Sequence, residues 1–229
     1  MSRKKIVFVI VEGPSDEEAL GVFFGRFFDK NAVYVQIMRS DITTARGSSP
    51  ENIAQKVAAV VKNYASQNHF IKTDFKEIIQ ISDTDGAFIP DEFVIEDRDA
   101  RDPQYSPAGI RTRSKKGIEQ RNAQKSENLA CLARLREVWG LPYRIFYMSV
   151  NLDHVLYGKL NTSDREKEKD SHAFVKKYRG NLPAFIEYIS ESDFSVQTDY
   201  RETWEYIKEE RHSLERHTNL GLCFKEDKQ

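Results

Sequence analysis

The chain has 229 residues, of which 39% are hydrophobic and 31% are charged, and its formal net charge is −1. This length suits one large domain, or one domain with an appended helical piece. A net charge so close to zero excludes an argument from overall basicity, so a surface for nucleic acid would have to be a local patch. No run approaches the roughly 20 apolar residues of a membrane span, and we expect no membrane partner.

The first predicted element is a strand over residues 6–11, an unbroken apolar and mostly β-branched run. Such a run is typical of a strand buried on both faces in a parallel sheet. Glu12 follows it, and the Gly-Pro pair after Glu12 predicts a turn. Ser15 and Glu18 have the spacing of a capping box, which predicts that a helix starts there. Glu12 then lies beside the core, where a carboxylate costs free energy unless something pairs with it.

The next elements continue an alternating order. Residues 32–38 form a predicted strand, a helix opens at Pro50, and residues 75–81 form the next apolar strand. The order β-α-β-α-β is typical of a parallel sheet with crossover helices. We therefore expect an α/β fold of Rossmann-like type, with about four parallel strands flanked by helices.

The alternation of strands and helices is interrupted by a polar stretch over about 88–125, which we interpret as an insertion or a mobile loop. A helix is predicted over 117–139, a fourth strand over 143–150 and a further short helix over 151–157. The pattern from there on is helical. We expect residues 1–160 to form the α/β domain, and residues 161–229 to form a helical extension packed on it.

Acidic residues follow two of the predicted strands. Asp83 and Asp85 stand at i and i+2, so in extended chain they would point the same way. The carboxyl ends of parallel strands share one edge of the sheet, where open α/β sheets place their ligands. Glu12, the aspartate pair and Asp153 would meet there. Like charges this close repel one another, and a hard cation such as Mg²⁺ or Mn²⁺ would remove the conflict.

The stretch 11–16, Val-Glu-Gly-Pro-Ser-Asp, followed by an apolar strand and Asp83-Thr84-Asp85, resembles the Toprim domain over roughly residues 5–157. That family includes topoisomerases, bacterial primases, OLD-family nucleases and small Toprim nucleases of phage-defence systems. The resemblance implies that Glu12 is a general acid or base or a metal ligand, and that Asp83 and Asp85 hold Mg²⁺. It also assigns Asp16 to the metal site, as in OLD-like members.

A second stretch, Ser149-Val-Asn-Leu-Asp153-His154, is similar to a Ser-Asn-x-x-Glu stretch of RloB-like Toprim proteins, with a shorter spacing. By resemblance, the expected activity is Mg-dependent cleavage of phosphodiester bonds in phage defence. A separately encoded ATPase would be a compatible partner. DNA and RNA both stay open as substrates, and so does the oligomeric state.

A run of basic residues lies in the second half of the polar stretch. Beside an acidic metal site it could grip the phosphates of nucleic acid, although such runs are also common on solvated faces. The residues assigned to nucleic-acid binding are Arg111, Arg113, Lys115, Lys116, Arg121 and Lys125, together with His154.

Other interpretations stay open at this point. Asp83 to Gly86 is also a good turn sequence, and Ser15 and Asp16 are good helix caps. A primase-like nucleotidyl transferase is one rival function, and a non-catalytic binding module is another. The two cysteines, Cys131 and Cys223, have no metal-ligand spacing, and residues 1–5 leave no room for a signal peptide before the first strand. We therefore expect a reduced, cytoplasmic protein.

Overall fold

The computed structural model describes residues 4–28 and 33–225. Its strands are β1 (Lys5–Val11), β2 (Val33–Arg39), β3 (Phe75–Asp83), β4 (Val94–Glu96), β5 (Gln104–Ser106), β6 (Gly109–Thr112), β7 (Glu137–Val138) and β8 (Leu141–Met148). Its helices are α1 (Pro14–Phe27), α2 (Ile53–Gln67), α3 (Lys115–Leu132), α4 (Leu152–Tyr157), α5 (Asp164–Tyr178), α6 (Leu182–Glu191) and α7 (Tyr200–Tyr206). Short 3-10 turns occupy Lys72–Asp74, Asp91–Phe93 and Leu220–Phe224.

The main sheet has the order β2-β1-β3-β8-β7. The first four strands are parallel to their neighbours, and β7 pairs with β8 in antiparallel orientation. The predicted α/β architecture, with parallel strands flanked by helices, is confirmed. The sheet is mixed because the chain turns back after β7 and forms a hairpin with β8.

Strand β1 lies between β2 and β3, and its position inside the sheet explains why its sequence is apolar throughout. Val7, Val9 and Val11 point into one core, beside α1 and the C-terminal helices. The alternate residues Phe8 and Ile10 point into a second core, formed with α2 and α3. Helices cover both faces, so neither set of side chains can be polar.

The C-terminal segment shares both of these cores. Phe185 of α6 stacks on Phe23 of α1 with ring centroids 3.8 Å apart, and Phe224 packs on both the α1 and α6 aromatic rings. Trp204 of α7 lies in the second core and meets Tyr147 of β8 edge to face. Residues after 161 therefore complete the hydrophobic layers on the sheet.

The polar stretch around 88–125 contains regular secondary structure, namely three short strands and the first part of α3. Its three strands form a small sheet in the order β4-β6-β5. Val94 and Ile110 are buried and pack with Leu214 in a third apolar cluster. Asn161 fastens the tip, since its side chain donates to the Tyr105 carbonyl and accepts from the Tyr105 N–H, at 2.9 and 2.8 Å.

Several predicted helix boundaries were wrong, and one of these is the start of α2, which lies at Ile53 rather than at Pro50. Helix α1 begins at Pro14, where Asp16 Oδ2 accepts from the Gly13 N–H at 2.8 Å, so the cap does not use Ser15 and Glu18. Helix α3 ends at Leu132 instead of 139. Trp139 and Gly140 take positive φ angles of 55° and 62° in the hairpin turn, which no helix can accommodate. Helix α7 ends at Tyr206, and residues 207–214 form turns, although the sequence pattern was helical throughout this region.

Among the helices of the described residues, none combines the length and apolar character that crossing a membrane requires. Cys131 and Cys223 are both free thiols.

Candidate metal centre

A cavity of about 700 Å³ opens where β1, β2 and β3 end. Its lining is strongly acidic, and Lys167 is the only basic side chain among the described residues that line it. The acidic lining residues are Glu12, Asp16, Glu18, Asp41, Asp83, Asp164 and Glu168. An anion would be repelled from such a cavity unless cations were bound there.

Glu12 occupies the position next to the sheet edge that the sequence predicts. Its Oε1 accepts from the Ser82 hydroxyl at 2.5 Å and from the Asp83 N–H at 3.2 Å, which ties the end of β1 to the end of β3. Burial raises the pKa of Glu12 to about 7, against the lowering effect of Lys125. The neighbouring Asp85 and Asp41 charges raise this pKa further. Glu12 is therefore present in comparable amounts of its protonated and ionised forms at neutral pH.

Asp83 is the last residue of β3 and faces the cavity. Its carboxylate makes no hydrogen bond or ion pair with any residue that the structure describes. Burial raises its pKa well above the usual range, and the charges of Glu12, Asp16 and Asp85 raise it further. A carboxylate in these surroundings is stable as an anion only if a cation joins it.

Asp85 does not point the same way as Asp83, so the expectation of two parallel carboxylates was wrong. The strand stops at Asp83, and Asp85 has a positive φ of 50° in the turn that follows. Its N–H donates to the Val150 carbonyl at 2.8 Å, and its own carbonyl accepts from Arg121 at 2.8 Å. The alternation of an extended chain is lost in this turn. The Asp85 carboxylate consequently turns toward α3.

Lys125 of α3 meets both Glu12 and Asp85. Its side chain is completely buried, and its Nζ lies 2.5 Å from Asp85 Oδ2 and 3.3 Å from Glu12 Oε2. The two carboxylates raise the pKa of the ammonium group, while Lys125 and Arg121 hold the pKa of Asp85 below its ordinary value against the effect of burial. Lys125 was predicted to lie on a nucleic-acid surface. The structure places it inside the acidic site instead.

Asp16 and Asp153 form an adjoining acidic pair. Burial raises the pKa of Asp16 to about 6, and the Asp153 charge adds to this. Asp153 does not line the cavity. Its Oδ2 accepts from Thr162 at 2.9 Å and lies 3.9 Å from Lys167 Nζ, whereas its buried Oδ1 has no hydrogen-bond partner among the described atoms. Asp153 therefore lies behind Asp16 rather than beside Asp83.

His154 is buried on α4 and is not a surface residue. Its Nδ1 lies 3.4 Å from the Ser149 carbonyl, and burial lowers its pKa to about 4. It is neutral at pH 7 and cannot attract phosphate by charge. Its predicted role in nucleic-acid binding is not supported by this position.

Most of the remaining basic residues contact protein groups, and some of these are also exposed to solvent. Arg121 is held by the Asp85 carbonyl, the Tyr105 hydroxyl and Asn122. Arg111 pairs with Asp97 at 3.2 Å, Lys115 lies 3.7 Å from Glu119, and the Arg113 Nε donates to the Arg98 carbonyl. The members that are exposed to solvent are Arg111, Arg113 and Lys116.

Sequence reasoning missed several residues of the site, among them Asp41 and Ser82. Asp41 lines the cavity two residues after β2, so the rule that pointed to Glu12 would also have found it. Ser82 is fully buried and donates to Glu12. It left no separate signal, because a serine before an aspartate at a strand end is equally common in turns.

The donor set fits a hard divalent cation, since it consists of carboxylate oxygens and Asp83 forms no ion pair with any residue in the described part of the chain. The side chains are not arranged as a finished coordination shell. Within residues 4–28 and 33–225, no three carboxylate, imidazole or thiolate groups already surround a common point.

No family model, curated protein or solved structure matched the chain when it was compared with known proteins. The function of the protein must therefore be inferred from the chemistry of the site itself.

Proposed function

We propose that this protein is a Toprim-like, Mg²⁺- or Mn²⁺-dependent nuclease that hydrolyses phosphodiester bonds in the cavity beside Asp83. One observation carries the proposal: the half-buried Asp83 carboxylate, which has no hydrogen-bond or ion-pair partner among the described residues, lines an acidic cavity with Glu12 and Asp16 at the carboxyl ends of parallel strands. Such a position favours a ligand site in open α/β sheets. The order of the sequence motifs, with residues 11–16 followed by Asp83-Thr84-Asp85, also supports the proposal because it resembles that of Toprim proteins.

Asp83 would hold the cation, together with Glu12 or Asp16. The metal would supply charge neutralisation at the phosphate and a lowered pKa for bound water. The acidity of the cavity supports this role, because nucleic acid could not approach these carboxylates without a cation between them.

Glu12 is suited to proton transfer. Its pKa of about 7 leaves comparable amounts of the acid and the base at neutral pH, which is the condition for efficient general acid–base catalysis. The Ser82 hydroxyl and the Asp83 N–H fix Glu12 Oε1, so one carboxylate oxygen has a defined orientation. Glu12 would accept a proton from the attacking water or return one to the leaving oxygen.

Exposed cations at the start of α3 would hold the strand. Lys116 of α3, and Arg111 and Arg113 before it, are the solvent-exposed basic residues of this run, so phosphate groups could reach their charges directly.

The test is cleavage of labelled single- and double-stranded DNA and RNA with Mg²⁺, with Mn²⁺ and with EDTA. We expect shortened products with either metal and none with EDTA. Asp83→Asn should lower the rate at least about 100-fold, the order expected for losing a group that acts on the reacting centre. Glu168→Gln is the matched control, since it removes an exposed charge from the same cavity. Equal activity in both variants would reject the proposal.

A nucleotidyl transferase would use the same carboxylates, so the products must distinguish the two reactions. If the protein is a transferase, the same reactions supplied with labelled nucleotides and a template should give extended products. Shortened products alone support the nuclease, and extended products would replace it with the transferase.

A further inference from the structure

The position between Glu12 and Asp85 is already filled by the Lys125 ammonium group. The Nζ atom lies 2.5 Å from Asp85 Oδ2 and 3.3 and 3.4 Å from the two Glu12 oxygens. Three carboxylate oxygens thus face one positive charge. A metal ion bridging these two acids would have to displace the ammonium group.

Lys125 is held in its buried position by the helix that carries it. Its side chain has no solvent exposure, and it lies in the middle of the 18-residue helix α3. Leu129 and Leu132 anchor the same helix in the core. An ammonium group pushed away from both acids would remain buried without a partner, which costs several kcal/mol.

The charges agree with this geometry. Glu12 and Asp85 carry two negative charges when ionised, and Lys125 contributes one positive charge to this pair. A single negative charge is left between them, whereas Asp83 shares its cavity with Asp16 and Asp41. A divalent ion is therefore favoured on the Asp83 side.

We propose that Lys125 is a built-in second cation, which occupies the place of one metal ion and limits this site to a single divalent ion on the Asp83 side. The inference rests on the proposed metal-dependent function. It makes Lys125 a positioning residue, which holds Glu12 and Asp85 in place. It also separates the roles of the two aspartates, because only Asp83 is left to bind the metal.

The first test counts Mn²⁺ ions bound to the full chain without substrate, by calorimetric titration and by the EPR signal of free Mn²⁺. We expect one ion for the wild type and two for Lys125→Met, which keeps the length of the side chain without its charge. Lys125→Arg should restore one ion. Lys167→Met, which removes an equal charge beside the same cavity, should also bind one.

Two ions on the wild type, or one ion on a folded Lys125→Met variant, would overturn the inference. A second ion on Lys167→Met as well would also overturn it, because total charge rather than the position of Lys125 would then set the number. Circular dichroism checks that each variant is folded.

The second test does not require removal of Lys125. Asp83→Asn should lose Mn²⁺ binding, with at least a 100-fold weaker affinity, whereas Asp85→Asn should bind one ion within about 10-fold of the wild-type affinity. Equal losses in the two variants would show that both aspartates bind the metal and would overturn the inference. The nuclease assay stays separate: one bound ion without cleavage would reject the proposed activity and leave the role of Lys125 standing.

Discussion

The carboxylates of the site should make the metal-free protein less stable as the pH rises. The pKa of Glu12 is raised from 4.5 to about 7 in the folded chain. Between these two values the folded state keeps a proton that the unfolded state has lost. The free energy of unfolding must therefore fall as the pH rises through this window.

The magnitude follows from the size of the shift. Integrated between about pH 5 and pH 8, the Glu12 shift alone removes about 2 kcal/mol of stability. Asp16, whose pKa is raised to about 6, acts in the same direction. A divalent cation that binds only the folded state should reverse part of this loss.

The measurement is the free energy of unfolding by urea in EDTA at about pH 5 and pH 8, for the wild type and for Glu12→Gln. Other groups also titrate in this range, so the informative quantity is the difference between the two proteins. We expect the wild type to lose about 2 kcal/mol more than the variant. Equal losses, or a wild type that becomes relatively more stable at the higher pH, would refute the reasoning.

Further predictions concern the metal and the insertion. Mn²⁺ should bind more tightly at pH 8 than at pH 6, because the carboxyl groups of Glu12 and Asp16 must release protons, and calorimetry in buffers of different ionisation enthalpy should show this release. An affinity independent of pH would contradict it. Gly109→Ala should cost about 2 kcal/mol or more, since a Cβ there would lie 2.3 Å from the Phe93 carbonyl oxygen at a φ of 150°. Gly25→Ala in α1 meets no atom within 4 Å and should be neutral or stabilising by about 1 kcal/mol. Urea unfolding measures both glycine variants, and equal effects would mean that the Gly109 turn is not formed as described.

The central strands were predictable because their surroundings are uniform. Residues of β1 face apolar cores on both sides, so the run from Ile6 to Val11 carries a strong local signal. The same holds for the apolar part of β3. Because the carboxyl ends of parallel strands lie along one edge of a sheet, the sequence alone predicted that Glu12 and Asp83 would lie close together.

The orientation of Asp85 could not be predicted in the same way. The i and i+2 rule applies only while the chain is extended, and the structure ends β3 at Asp83. The turn beyond it is fixed by distant groups, including the Val150 carbonyl and the Arg121 side chain. Interactions at such sequence separations leave no periodic pattern near Asp85.

Lys125 was misassigned for a related reason. It lies in a run with Lys115, Lys116 and Arg121, and a charge run usually indicates a solvated face. A buried lysine is recognised by its counterions, and here these are Glu12 and Asp85 from two other elements. The small sheet of the insertion was missed because strands of three or four residues are too short to show alternation.

The central claim is that Asp83 binds a divalent cation in the acidic cavity while Lys125 stays between Glu12 and Asp85. A crystal structure of the protein with Mn²⁺ tests this claim most directly, because an anomalous difference map locates the manganese. We predict one manganese peak about 2.1 Å from an Asp83 carboxylate oxygen, with the Lys125 ammonium group still against Asp85. A peak between Glu12 and Asp85, or a cavity without manganese at saturating concentration, would contradict the claim.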